Sequence, residues 1–337
     1  MGTGAAALTS VADRTTTLAT IDIGTNTTLL LVARLARGIA DPPGESGRVM
    51  VLEERAEITR LGRGIGTTGQ LGAAGIAATL DVLREYVEIA RRHGARIAAI
   101  GTEGLRRAAN ADAFLIPARE IVAAAGGDVE VIDGAREAAL TFRAVTESFP
   151  ALARAGAPLI VVDIGGGSTE IIVAERGAVR LRTSLPLGSV RLTERHIRSD
   201  PPTAGELDAV RAAIAGELGV SGLRAALSGG APTLVGVAGT VTSLAAMAQD
   251  LASYDPARVH GFALTRAALD AQIARLTQAT QPEREAMPGL DPRRADVILA
   301  GALILRELVE ATQTLQVVVS DRGIRWGLLY EALAAVP

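Results

Sequence analysis

The chain has 337 residues, 48% of them hydrophobic, enough to bury two cores of ordinary domain size. It contains no cysteine, which excludes disulfides, thiolate metal sites and cysteine nucleophiles and fits a reducing compartment, so a cytoplasmic location is expected. A net charge of -3 with interspersed signs marks no broad nucleic-acid face, the absence of lysine removes Walker and Schiff-base chemistry, and 2% aromatics are too few for base-stacking platforms.

Residues 1–20 show no basic start followed by an apolar run, and no later stretch is apolar for long enough to cross a bilayer, so neither export nor a membrane partner is expected. Ile- and Val-rich runs at 18–23, 96–100, 129–132 and 159–164 predict strands. Between and after them, apolar residues at helical spacing predict helices over 71–92, 112–125, 205–227 and 293–310, and 38–47, with Pro42-Pro43, reads as a loop between strands. This alternation predicts a layered α/β fold. At the end of the chain, Val317-Val318-Val319-Ser320-Asp321-Arg322-Gly323 leads into a helix over 324–335 that is expected to return to the first lobe.

One internal similarity organises the rest. Asp22-Ile23-Gly24-Thr25-Asn26-Thr27-Thr28 is followed by an apolar run to Ala33, and Asp163-Ile164-Gly165-Gly166-Gly167-Ser168-Thr169 by another to Ala174, at a constant offset of 141 residues. Strand, tight turn, strand is used twice, which predicts two related lobes facing each other across a cleft. Glycine lets backbone N–H groups close on an anion and Thr or Ser adds hydroxyl donors, so Gly24, Thr25, Asn26 and Thr27 in one turn and Gly165, Gly166, Gly167, Ser168 and Thr169 in the other are candidate phosphate ligands. Where the first copy has Leu29 the second has Glu170, so Asp163 and Glu170 are the candidate metal ligands, directly or through water, for an oxygen-loving cation. Asp22 occupies the equivalent strand end in the first copy; it either orients water or accepts N–H bonds from its own turn.

Three further segments follow predicted strands. Gly101-Thr102-Glu103-Gly104-Leu105-Arg106 places Arg106 where it can fork onto phosphate oxygens and neutralise transition-state charge. Ile132-Asp133-Gly134-Ala135-Arg136-Glu137 puts Glu137 at the junction of the lobes, a carboxylate able to orient attacking water; on the residues alone, a first-turn glutamate favoured by the helix dipole explains it better. Val237-Ala238-Gly239-Thr240 runs a strand into a helix start, supplying Gly239 and Thr240 to an anion.

Taken in order, these segments resemble the exopolyphosphatase/guanosine pentaphosphate phosphatase (Ppx/GppA) family of the actin, sugar kinase and Hsp70 superfamily. The stretches Leu185-Pro186-Leu187-Gly188-Ser189-Val190-Arg191-Leu192-Thr193, Arg294-Ala295-Asp296-Val297-Ile298 and Ser320-Asp321-Arg322-Gly323 add to the likeness, which covers nearly the whole chain. The resemblance implies two ribonuclease H-like lobes, a first of residues 1–139 plus 312–337 and a second of 140–311. It further implies a cleft active site requiring Mg²⁺ or Mn²⁺, Glu137 for water activation, Arg106 on phosphate, Asp163 and Glu170 on the metal, and a homodimer. Leu29 stands where many relatives carry arginine, Gly101 and Gly104 stand where alanine is frequent, and a short form without an extra C-terminal helical domain is expected. The activity so implied is release of terminal orthophosphate from short inorganic polyphosphate. The alternatives are hydrolysis of guanosine pentaphosphate by the same chemistry and a sensor or kinase-like protein that binds a phosphoanhydride without hydrolysing it.

Overall fold

Two mixed β-sheets repeat one strand order. The structure, a computed structural model, describes residues 15–36, 49–227 and 231–334, so the loop predicted at 38–47 lies outside the described residues. The first sheet is formed by β1 (Thr15–Ile23), β2 (Thr28–Ala36), β3 (Val49–Glu57), β4 (Arg96–Gly101) and β5 (Asp128–Val131), in the order β3-β2-β1-β4-β5. The second contains β6 (Leu159–Ile164), β7 (Thr169–Glu175), β8 (Ala178–Leu185), β9 (Thr233–Val237), β10 (Ala263–Thr265) and β11 (Gln316–Val319), in the order β10-β11-β9-β6-β7-β8. In each, a leading hairpin is antiparallel and the strand on its other side is parallel: β1 pairs with β2 and β4 as β6 pairs with β7 and β9. The register repeats as well, since Asp22 lies opposite Leu29 and Asp163 opposite Glu170.

The predicted helices form with shifted ends, at Ala73–Arg92, Asp112–Ala123 and Ala204–Val220. The helix predicted over 293–310 splits into a short turn, Pro292–Arg294, and Ile298–Thr312, because Pro292 sets a separate start that Asp291 caps. Two helices lie between the sheets. Gly134–Ser148 buries Ala138 and Val145 against Val161, Ile172 and Val235 of the second sheet. Ile324–Ala334 buries Trp326, Leu329 and Tyr330 against Leu18, Leu31 and Leu35 of the first.

The expected lobe limits need correction at both crossings. Residues 316–319 do not return to the first lobe: Gln316–Val319 pairs parallel with β9 in the second sheet, where its valines complete the core, and only the helix from Ile324 comes back. The cut at 139/140 falls inside the helix Gly134–Ser148, which bridges the lobes instead of ending one. Among the described residues no helix is long and apolar enough to cross a membrane.

The two bridging helices cross at Gly327, where any Cβ would collide with the Leu140 carbonyl. Gly327→Ala is therefore expected to destabilise the protein by about 1–3 kcal/mol through overpacking, read as a lowered midpoint in urea with an unchanged slope.

Candidate active site

The ends of β1 and β6 point into one cleft of about 520 Å³ between the sheets. Each strand finishes in a four-residue loop closed by the same hydrogen bond, Gly24 N–H to the Thr27 carbonyl and Gly165 N–H to the Ser168 carbonyl, both 3.0 Å. Behind each loop, a second segment draws the loop carbonyls away from the cleft. Gly62 N–H takes the Thr25 carbonyl at 2.8 Å and Arg60 N–H the Asn26 carbonyl at 3.0 Å. On the other side, Ser189 N–H takes the Gly165 carbonyl, Val190 and Arg191 N–H the Gly166 carbonyl, and the Arg191 side chain the Gly167 carbonyl at 2.7 Å.

With their carbonyls turned outward, the amides of Thr25, Asn26, Thr27, Gly166, Gly167 and Ser168 donate to no partner among the described residues. Such rows of free N–H groups are anion-binding concavities. They face one another closely: a Cβ on Gly166 would lie 3.3 Å from Asn26, and one on Gly167 would run into the Glu103 carboxylate.

A third donor group comes from the helix Ala238–Ala248, whose first turn opens on the cleft at Gly239 and Thr240 and has no side-chain cap. Ala238 holds a φ of 71°, a left-handed conformation that persists in a non-glycine residue only where the surroundings enforce it. Arg294 lies directly over Gly239 and donates to Thr27 Oγ1 at 3.1 Å. It makes no ion pair among the described residues, and burial lowers its pKa against the pull of Asp291, so its guanidinium lines the cleft without a paired carboxylate.

At the foot of the loops the charge reverses. Asp22 and Asp163 stand at the two strand ends, and Glu137 projects from the first turn of Gly134–Ser148, a helix start fixed by Asp133 accepting Arg136 N–H at 2.7 Å. Glu170 lies beside Asp163 and is 1% exposed. Burial, with repulsion from Glu137 and Asp163, pushes Asp22 up to about 8. Glu137 is pushed up to about 7, chiefly by burial and against the pull of Arg106. Burial raises Asp163 to about 6, opposed by the Thr141 hydroxyl at 3.0 Å. Glu170 is driven well above the carboxylate range by burial and by its acidic neighbours. Asp22 Oδ1 is buried without a hydrogen-bond partner, so this oxygen is not spent on its own turn.

The cleft is lined by Asp22, Gly24, Thr25, Asn26, Thr27, Glu137, Asp163, Gly165, Gly166, Gly167, Ser168, Gly239 and Thr240, all selected from the sequence. Three selected residues are placed differently. Thr169 is fully buried and its hydroxyl donates to the Leu187 carbonyl at 2.6 Å, so it anchors the loop and offers nothing to a phosphate. Arg106 does not reach into the cleft: Nη1 is held by Glu137 Oε2 at 2.9 Å and the Ile132 carbonyl at 2.6 Å. Glu170 is likewise absent from the lining, its Oε1 accepting from Ser168 Oγ at 2.9 Å and Ser184 Oγ at 2.6 Å.

Sequence reasoning missed Arg294, Glu103 and Arg191. Glu103 ion-pairs with Arg107 at 3.1 Å and with Arg191 across the cleft. The stretches holding Arg191 and Arg294 were recognisable as motifs, but the loop that each serves lies more than 20 residues away in sequence, and no local pattern announces it.

The Ppx/GppA phosphatase family matches over residues 43–335. Exopolyphosphatase 2 of Mycobacterium tuberculosis is 38% identical over 93% of this chain and 97% of its own length. Guanosine-5'-triphosphate,3'-diphosphate pyrophosphatase of Vibrio atlanticus is 30% identical over 93% of this chain, which spans 58% of that protein. The crystal structure of an exopolyphosphatase from Cytophaga hutchinsonii superposes with a TM-score of 0.82 at 27% identity, covering 95% of this chain and 99% of that one. With two lobes of one strand order, twin anion loops and an acid cluster between them, the chain has the actin-like α/β fold and belongs to the Ppx/GppA phosphatase family.

Proposed function

We propose that the chain is an exopolyphosphatase that removes the terminal orthophosphate of short inorganic polyphosphate with the help of a divalent cation. The observation that carries this reading is the convergence of free amides from two lobes on a row of buried acids. Amides and Arg294 suit the non-bridging oxygens of a phosphate chain, and the acids suit the point of cleavage.

The acids fit Mg²⁺, or Mn²⁺ in its place. Asp22 leaves a buried oxygen unsatisfied, all four carboxyls are raised by burial, with repulsion from acidic neighbours adding to the rise at Asp22, Glu137 and Glu170, and every donor is an oxygen. Among the described residues no group of three or more His, Asp or Glu is gathered as a metal site, so an ion here would need water and phosphate oxygens to complete its shell. Asp163 and Asp22 would hold it, with Glu170 behind them; once bound, it would neutralise charge on the phosphate oxygens. Glu137 orients the attacking water and accepts its proton, a task for which a carboxyl near neutrality is suited. Arg106 fixes the Glu137 carboxylate from the side away from the substrate and keeps it ionised. A homodimer, as the resemblance implies, and a cytoplasmic location, as the lack of cysteine suggests, belong to the same proposal.

Guanosine pentaphosphate remains the second reading because of another part of the cleft wall. There Leu251, Leu290 and a half-exposed Tyr254 form an apolar wall beside Asp291 and Asp321, a surface suited to a nucleoside and poorly matched to further phosphates. Phosphate release from polyphosphates of several lengths, guanosine pentaphosphate and ATP, each with and without Mg²⁺, tests both readings. Binding of these anions without any release would establish the non-hydrolysing alternative instead.

A pH dependence follows from the crowded acids. A carboxyl whose pKa is raised by folding contributes stability that is complete below its unfolded value and is lost as pH rises through the folded one. With Asp163, Glu137 and Asp22 raised to about 6, 7 and 8, the metal-free protein should lose stability steadily from pH 5 to pH 8. Thermal melts in chelator should show this fall, Mg²⁺ should cancel most of it, and Glu170→Gln should flatten it without metal. A flat profile in the wild type would contradict the raised carboxyl pKa values.

A further inference from the structure

The strap behind the first anion loop is tied to the opposite lobe. Arg60, whose N–H holds the Asn26 carbonyl, sends its guanidinium across the cleft to Asp296, with Nη1–Oδ2 at 3.0 Å and Nη2–Oδ1 at 3.2 Å, and Nη2 also donates to the Arg293 carbonyl at 2.8 Å. Arg293 returns the contact through Nη1 to Glu57 Oε2 at 2.7 Å. Two ion pairs therefore cross between residues 57–60 and 291–296 in opposite senses, and each end sits next to a group facing the cleft: Asn26 beside Arg60, and Arg294 beside Arg293. Arg60 also holds a φ of 54°, the left-handed region that a residue with a side chain adopts only when its surroundings fix it.

We propose that the crossed pairs Arg60–Asp296 and Glu57–Arg293 form a clasp that makes closure of the lobes and shaping of the first anion loop a single event, so that Arg60 and Asp296 are positioning residues for substrate capture. The proposal rests on the reading of the cleft as a polyphosphate site. Both pairs are partly exposed, so each is weak and screened by salt, and the clasp stands near balance instead of locked. Opening it frees Arg60 from Asp296, lets residue 60 leave its left-handed conformation and releases the Asn26 carbonyl. The amide row of the first loop then loses its alignment. Conversely, a polyanion gripped by that row and by Arg294 stabilises the closed lobes, since coupling between two sites is reciprocal.

Asp296→Asn tests this without altering the backbone at residue 60. Arg60→Asp combined with Asp296→Arg restores opposite charges with the same total reach, and aspartate tolerates the left-handed region. Small-angle X-ray scattering of the substrate-free proteins, calorimetric binding of tripolyphosphate, and kcat and KM for phosphate release from it supply the readouts. Asp296→Asn is expected to enlarge the radius of gyration, as high salt should in the wild type, and to raise Kd and KM for tripolyphosphate about three- to fivefold with kcat within about twofold. The double swap should recover most of both. An unchanged radius and affinity in Asp296→Asn, or a defect that the swap leaves unrepaired, would overturn the clasp. If the wild type releases no phosphate, the enzymatic reading fails while scattering and binding still decide the clasp.

Discussion

Glu137→Gln is expected to reduce phosphate release by roughly 10²–10⁴-fold while leaving the affinity for tripolyphosphate within about twofold. The amide keeps the size of the carboxyl and its place in the first helical turn, so the loops that grip the anion are undisturbed. What is lost is an oxygen able to take a proton from water. Glu137 is suited to that exchange because burial holds it near pH 7 while Arg106 prevents a further rise. Single-turnover phosphate release beside calorimetric binding separates the two effects. Turnover within about threefold of wild type would remove Glu137 from the mechanism.

Arg106→Ala is expected to cost about 2–4 kcal/mol in kcat/KM. The structure changes the reason. Arg106 grips Glu137 and the Ile132 carbonyl, not the cleft, so its loss acts through the base. Without the guanidinium, the Glu137 pKa rises above its present value of about 7, and at neutral pH a larger fraction is protonated and unable to accept a proton. The acidic limb of the pH–rate profile should therefore move upward, and raising the pH should restore part of the lost rate. A uniform loss at every pH would return Arg106 to direct phosphate contact.

Much of this architecture was legible because a duplicated hairpin carries its own geometry. The 141-residue offset between Asp22 and Asp163 implied equal strand ends, and the equal register and equal loop hydrogen bonds are its physical expression. Hydrophobic spacing located the helices but not the lobe to which a segment belongs. Val317-Val318-Val319 is apolar enough for either sheet, and only the parallel pairing with β9 decides. Composition likewise could not separate Thr169 from Ser168. In a strand-leading position one side chain turns to the Leu187 carbonyl and the other stays on the cleft wall. Glu137 owed its assignment to the family resemblance; its burial against Asp22, Asp163 and Arg106 is a tertiary fact. The partners Arg60–Asp296 and Glu103–Arg191 lie 236 and 88 residues apart, so neither pair leaves a trace in a single sequence.

The outward-turned carbonyls of the two loops have a consequence for how this fold tolerates change. A ligand held by main-chain hydrogens is recognised through its charge and repeat spacing, and that recognition survives replacement of most side chains around it. Alanine scanning of Thr25, Asn26, Thr27 and Ser168 would thus understate their importance, because the atoms that do the holding remain. If the loops grip the terminal phosphates as proposed, altering Tyr254, Leu290 and their neighbours on the cleft wall should change which phosphorylated compound is accepted while leaving that grip in place.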